Sequence, residues 1–148
     1  MRVVLDTNTL ASGALAHAKS PAGAILDAWR EAVFVLVVSE DIISELAHTL
    51  SKPYFAARLS PNDVAAFIDL VESAATIVSV PGELQGVASH PEDDRILECA
   101  YVAGAEYLVT GDKQLQRLEA FRDIQIVSPR AFLTILDILG DWSDPASL

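Results

Sequence analysis

Short apolar runs alternate with longer stretches of helical periodicity along most of the chain. Arg2-Val3-Val4-Leu5 reads as a buried strand ending at Asp6, and residues 33–38 form an unbroken, β-branched apolar run of the kind covered on both faces. Residues 75–80, Tyr107–Val109 and Ile124–Val127 repeat that pattern. Helices are predicted between them. Pro21 opens one over residues 22–31, and Ser39 caps a second whose stripe is Ile42, Ile43, Leu46, Ala47 and Leu50 and which stops before Pro53. Ser60-Pro61-Asn62-Asp63 starts a third, lined by Val64, Phe67, Ile68 and Val71. A fourth runs over residues 94–103 with Ile96, Leu97, Ala100 and Tyr101 inward and Gly104 at the left-handed C′ position. Ser128-Pro129 starts a last one, residues 130–139. Residues 7–19 and 81–91 read as loops, the second long enough to belong at a functional edge. Repeated βα units imply an α/β fold of three layers, a central parallel sheet between helices, in one domain over residues 1–139 with a tail over 140–148.

Composition narrows the possibilities. A chain of 148 residues, 51% of them hydrophobic, can bury roughly 70% of its unfolded surface without disulfides. Its net charge of −11 repels nucleic acid at long range and argues against a simple nucleic-acid binder. The acids are spread over both halves, so there is no acidic tail. Cys99 is the only cysteine, which excludes an internal disulfide and fits a reducing, cytoplasmic setting. No apolar run approaches the ~18 residues of a membrane span, and the chain opens on a strand rather than a signal-like segment.

Against that background four carboxylates draw attention. Asp6 closes the first strand, Glu45 lies at the margin of an apolar helical stripe, Asp94 begins a helix, and Asp112 follows a late strand in Val109-Thr110-Gly111-Asp112. In a parallel sheet the carboxyl ends of strands open onto the crevice where ligands bind, so distant acids can meet there. Clustered carboxylates repel, and a hard divalent cation relieves the repulsion while presenting phosphate oxygens to the site. Each acid also has a plainer explanation: Asp6 and Asp112 as turn residues, Asp94 as a helix cap, Glu45 as a solvated helix residue. Asp93 competes with Asp94, and Asp94 is preferred because the apolar pairs follow it at helical spacing. His17, His48 and His90 lack metal-ligand spacing.

Four motifs in order resemble a known family. Val-Leu-Asp-Thr-Asn (residues 4–8), Ser39 with Glu45, His-Pro-Glu-Asp-Asp-Arg-Ile-Leu (residues 90–97) and Gly-Ala-Glu-Tyr-Leu-Val-Thr-Gly-Asp-Lys-Gln-Leu (residues 104–115) together look like a PIN domain. The nearest branch is the toxin-component PIN family, related to VapC-type ribonucleases of prokaryotic toxin–antitoxin systems. The resemblance implies a doubly wound α/β/α fold and Mg²⁺- or Mn²⁺-dependent cleavage of single-stranded RNA to 5′-phosphate and 3′-hydroxyl ends. It further implies that Asp6, Glu45, Asp94 and Asp112 hold the metal, that Asn8 and Thr110 support them, and that an antitoxin binds the protein.

RNA affinity normally comes from Lys and Arg, so the acidity needs a local basic rim, for which Lys113, Arg117, Arg95 and Lys52 are the candidates. Tyr54 and Phe55 are read first as packing or interface residues and second as base-stacking ones. The apolar first helix, residues 22–31, and the tail with Trp142 suggest surfaces hidden by self-association, a homodimer, or by an antitoxin. A receiver domain would need an acidic pair closing the first strand, and a haloacid-dehalogenase-like phosphatase would need Asp-x-Asp, which Asp6-Thr7-Asn8 breaks. A silent PIN domain acting as a binding module and a housekeeping RNA-processing nuclease are the rival readings.

Overall fold

A computed structural model describes residues 1–15 and 20–139. The expected tail with Trp142 lies outside the described residues. Six strands form one sheet in the order β3-β2-β1-β4-β6-β5, where β1 is Arg2–Leu5, β2 Val35–Ser39, β3 Thr76–Val78, β4 Tyr107–Val109, β5 Ala120–Phe121 and β6 Ile124–Val127. All pairings are parallel except β5 with β6. The sheet is therefore mostly parallel, with an antiparallel edge that the sequence did not suggest. Val3 pairs with Tyr107 and Leu5 with Val109 across β1 and β4, where the order of connections reverses. Such a reversal opens a crevice at the carboxyl ends of the two strands.

The helices are α1 (Thr7–Ala14), α2 (Pro21–Arg30), α3 (Glu40–Leu50), α4 (Pro53–Ala56), α5 (Pro61–Ala74), α6 (Pro91–Val102), α7 (Lys113–Gln116) and α8 (Pro129–Leu139). Start signals read from sequence act as caps. Ser39 and Ser60 accept from Ile42 and Asp63, Ser20 just before the predicted Pro21 accepts from Gly23, and Asp63 answers Ser60 in a capping box, where hydrogen bonding first to the Ser60 backbone and then to its side chain holds the Asp63 carboxyl below the usual range. Gly104 has φ +64°, as its C′ position requires.

One expected loop is a helix. Asp6 is the N-cap of α1, so β1 passes directly into a helix whose Thr7, Thr9, Leu10, Ala11 and Gly13 are buried. At Gly13 a Cβ would lie 2.6 Å from Leu26, so only glycine lets α1 and α2 approach this closely. The apolar first helix expected at a covered surface is α2, and its Ala22, Gly23, Ala24, Ile25, Leu26, Ala28 and Trp29 are buried inside the fold. Tyr101, expected inward, is 52% exposed, outside the buried face of α6 formed by Asp94, Ile96, Leu97, Glu98, Cys99 and Ala100, with the Arg122 guanidinium over its ring. Phe132 of α8 is fully buried, edge-on to Phe34 at 5.4 Å, and closes the core on that side.

Cys99 is fully buried, and burial pushes its thiol up to about 12. The thiolate is the reactive form, so native protein should not react with a colorimetric thiol reagent at pH 8, whereas denatured protein should give one thiol per chain. Stoichiometric labelling of native protein within minutes would contradict this packing.

Candidate active site

The crevice predicted by the strand order holds an open cavity of about 540 Å³, lined by Asp6, Glu45, Glu92, Asp93 and Asp112 together with Thr7, Asn8, Ser44, His48, Thr49, Lys52 and Ile96. Five carboxylates from four separate stretches of chain share it. Asp6 stands where β1 ends, its own N–H donating to Val109 O of β4 at 3.0 Å. Its Oδ1 accepts from the Thr9 N–H at 2.8 Å and its Oδ2 from the Thr110 hydroxyl at 2.6 Å. Asp6 therefore caps α1 and lines the acidic cavity at once. Thr110 is fully buried and also accepts from the Asp112 N–H at 3.0 Å, which ties the two acids together through one hydroxyl.

Glu45 occupies the second turn of α3, set by the Ser39 cap at the end of β2. Its Oε2 accepts from the Thr7 hydroxyl at 3.1 Å, and Thr7 is a support that the sequence reading missed. Asp112 caps α7, accepting from Gln114 N–H at 2.8 Å through Oδ1. Asn8 lines this cavity and a second one of about 410 Å³, bounded also by Asp6, Thr9, Ser12, Ala22, Gly111, Asp112 and Pro129. The two cavities meet along Asp6, Asn8 and Asp112.

Asp94 requires a correction. Its carboxylate does not line the acidic cavity. It is 5% exposed and accepts three backbone N–H bonds from the loop before α6: Gly86 at 3.0 Å, Val87 at 3.1 Å and Ala88 at 2.7 Å. Glu98, one turn further along the same face, accepts from Gly82, Glu83 and Leu84, each at 2.8 Å. This pair clamps the long loop, whose Gly82 and Gly86 take positive φ. Asp93 is the neighbour that faces the other acids. Among the described residues its carboxylate accepts no hydrogen bond and forms no ion pair, and it is pushed up by desolvation first and then by Asp112, with His90 pulling the other way and Asp6 and Glu92 adding to the rise. The preference for Asp94 rested on the apolar pairs that follow it at helical spacing, which do not distinguish an acid facing the cavity from one facing the loop, and α6 begins three residues earlier than that reading placed it.

Of the four expected cations only Lys52 lines the acidic cavity. Arg95 lies beside Asp94 in a separate cavity with Gly82 and Gly86, because its position on α6 points it toward the loop rather than the acids. Lys113 and Arg117 are exposed on α7 and line neither of the two cavities at Asp6. Among the described residues no three acidic, histidine or cysteine side chains are already gathered closely enough to hold a metal ion.

A doubly wound sheet with threonine-supported acids at its reversal point is the architecture of a PIN domain, and the family model described as "PIN domain" matches residues 2–114. The chain belongs to the PIN domain family. PIN domains are in general divalent-metal-dependent nucleases. The fold is similar to the crystal structure of VapBC2 from Rickettsia felis bound to a DNA fragment from their promoter, with a TM-score of 0.58 at 18% identity over 86% of this chain and 98% of that one. No curated protein sequence matches. No helix among the described residues is long and apolar enough to cross a membrane.

Proposed function

We propose that this protein is a metal-dependent endoribonuclease acting on single-stranded RNA, the VapC-like toxin of a toxin–antitoxin pair. The observation that carries the reading is the meeting of Asp6, Glu45, Asp93 and Asp112 in one cavity of a PIN domain. The similarity to VapBC2 supports the toxin assignment and an antitoxin partner.

The donor set suits Mg²⁺ or Mn²⁺. It consists of hard carboxylate oxygens, and the repulsion that Asp112 and Asp6 exert on Asp93, which His90 offsets only in part, is what a cation would remove. Mg²⁺ retains several waters, so carboxylates need not all touch it directly. Asp6, Glu45, Asp93 and Asp112 would hold the ion, which when bound polarises a phosphoryl oxygen and lowers the pKa of attacking water. The chain's own contribution is orientation: Thr110 fixes one oxygen of Asp6, Thr9 N–H the other, and Thr7 fixes Glu45. Because cavities open on both sides of the Asp6–Asn8–Asp112 line, a strand can cross the acids without presenting an end.

A circular single-stranded RNA tests this directly, since only internal cleavage can linearise it. Wild-type protein with Mn²⁺ should linearise the circle, and EDTA or Asp6→Asn should reduce the rate by on the order of a hundredfold or more. Cleavage that survives EDTA and follows the protein through purification, or an intact circle with either metal, would overturn the reading.

A further inference from the structure

Resting on that nuclease reading, we infer that the corner between α3 and α4 is the arm that holds single-stranded RNA beside the acids, with Lys52 against a backbone phosphate and Tyr54 against a base. Among the described residues Lys52 is the only Lys or Arg lining the acidic cavity, and it forms no ion pair with any of the five carboxylates there. An ammonium kept free in so negative a cavity is available to a phosphate, whose approach the same carboxylates would otherwise oppose. His48, one turn earlier, lines the same wall.

The corner is stiff. Ser51 and Lys52 N–H groups donate to His48 and Thr49 carbonyls, and the Lys52 carbonyl in turn accepts from Phe55 and Ala56 as the N-cap of α4. Tyr54, two residues past Lys52, is 56% exposed although its ring is fixed: Arg58 lies over it at 3.7 Å from the ring centroid, and Phe55 meets it edge-on at 5.1 Å. Arg58 also donates to the Tyr54 carbonyl at 2.7 Å. A solvent-facing ring already held in place loses little side-chain entropy on stacking, and stacking tolerates any base. The arm therefore supplies affinity without sequence readout.

The test uses anisotropy of a labelled 12-nucleotide oligouridylate with the Asp6→Asn protein in Mn²⁺ across a salt series, so that binding is read without cleavage. Lys52→Ala should weaken binding about tenfold and flatten the slope of log affinity against log salt by about 0.7, the value for one lost phosphate contact on a single strand. Lys52→Arg should restore both. Tyr54→Ala should weaken binding roughly tenfold while leaving the slope unchanged, and Arg95→Ala should change neither. In otherwise wild-type protein, Lys52→Ala and Tyr54→Ala should act on KM far more than on kcat. Affinity and slope indifferent to both substitutions, an equal effect from Arg95→Ala, or no oligouridylate binding at all would overturn the arm. If wild-type protein still linearises the RNA circle in any of those cases, only the arm falls. An intact circle with normal arm effects sinks the nuclease reading alone.

Discussion

Asp93→Asn is expected to lower the RNA cleavage rate by on the order of a hundredfold or more, whereas the adjacent Asp94→Asn is expected to lower stability instead. The two carboxylates sit one residue apart and do opposite work. The Asp93 carboxylate feels Asp112 and Asp6, opposed only by His90, and accepts no hydrogen bond among the described residues, whereas Asp94 is saturated by three backbone donors. An amide at position 94 must turn one donor toward a donor, so with charge-assisted bonds worth roughly 1.5–3 kcal/mol each we expect a loss of about 2–3 kcal/mol. That corresponds to a Tm roughly 5–10 °C lower. The pH dependence separates them further. The fold raises the Asp93 pKa, so its contribution to stability is fully present below the ordinary carboxyl range and is lost as pH rises through the raised value. In EDTA at neutral pH, Asp93→Asn should therefore melt at or above the wild-type temperature, and the difference should vanish in acid. Melting curves and initial rates check both halves; a near-normal rate for Asp93→Asn would remove it from the site.

Glu98→Ala should be the most destabilising substitution of an acid in this chain. Its carboxylate is 5% exposed and accepts from Gly82, Glu83 and Leu84, so truncation strands three donors at once. Water can reach part of the loop, which holds the expected loss to about 3 kcal/mol, or a Tm near 10 °C lower. Because Glu98 does not line the acidic cavity, the cleavage rate well below that Tm should stay within about twofold of wild type. Unchanged melting would show that the loop does not depend on the clamp.

How legible the molecule was depended on whether a signal was local. Ser39, Ser60 and Gly104 announce helix ends through backbone groups within a few residues, and those boundaries were readable. Strands β1, β2, β3, β4 and β6 were readable from apolar runs, and the two-residue β5 was not. α1 was not, because Thr-Asn-Thr-Leu-Ala-Ser-Gly-Ala is rich in residues that favour turns, and its helix is stabilised by burial under α2 and α3 rather than by propensity. The choice between Asp93 and Asp94 hinged on one residue of helix phase. Only the donors at 86–88, which sequence cannot place, show which acid is turned away. Thr7 was missed for a similar reason, since its partner Glu45 lies 38 residues away.

The bond between the Thr110 hydroxyl and Asp6 spans 104 residues. During synthesis, β1 leaves the ribosome early but lacks its β4 neighbour, so neither the Val109 carbonyl that anchors Asp6 nor the hydroxyl that orients it exists. Chain growth at ~5–20 residues per second makes this interval seconds long. A nascent chain stopped before position 110 carries Asp6, Glu45 and Asp93 yet has no means of aligning the first with the fourth acid. On the proposed nuclease reading, ribosome-bound intermediates would be harmless to the message being read, and competence would arrive only when the last quarter of the polypeptide docks against the first strand.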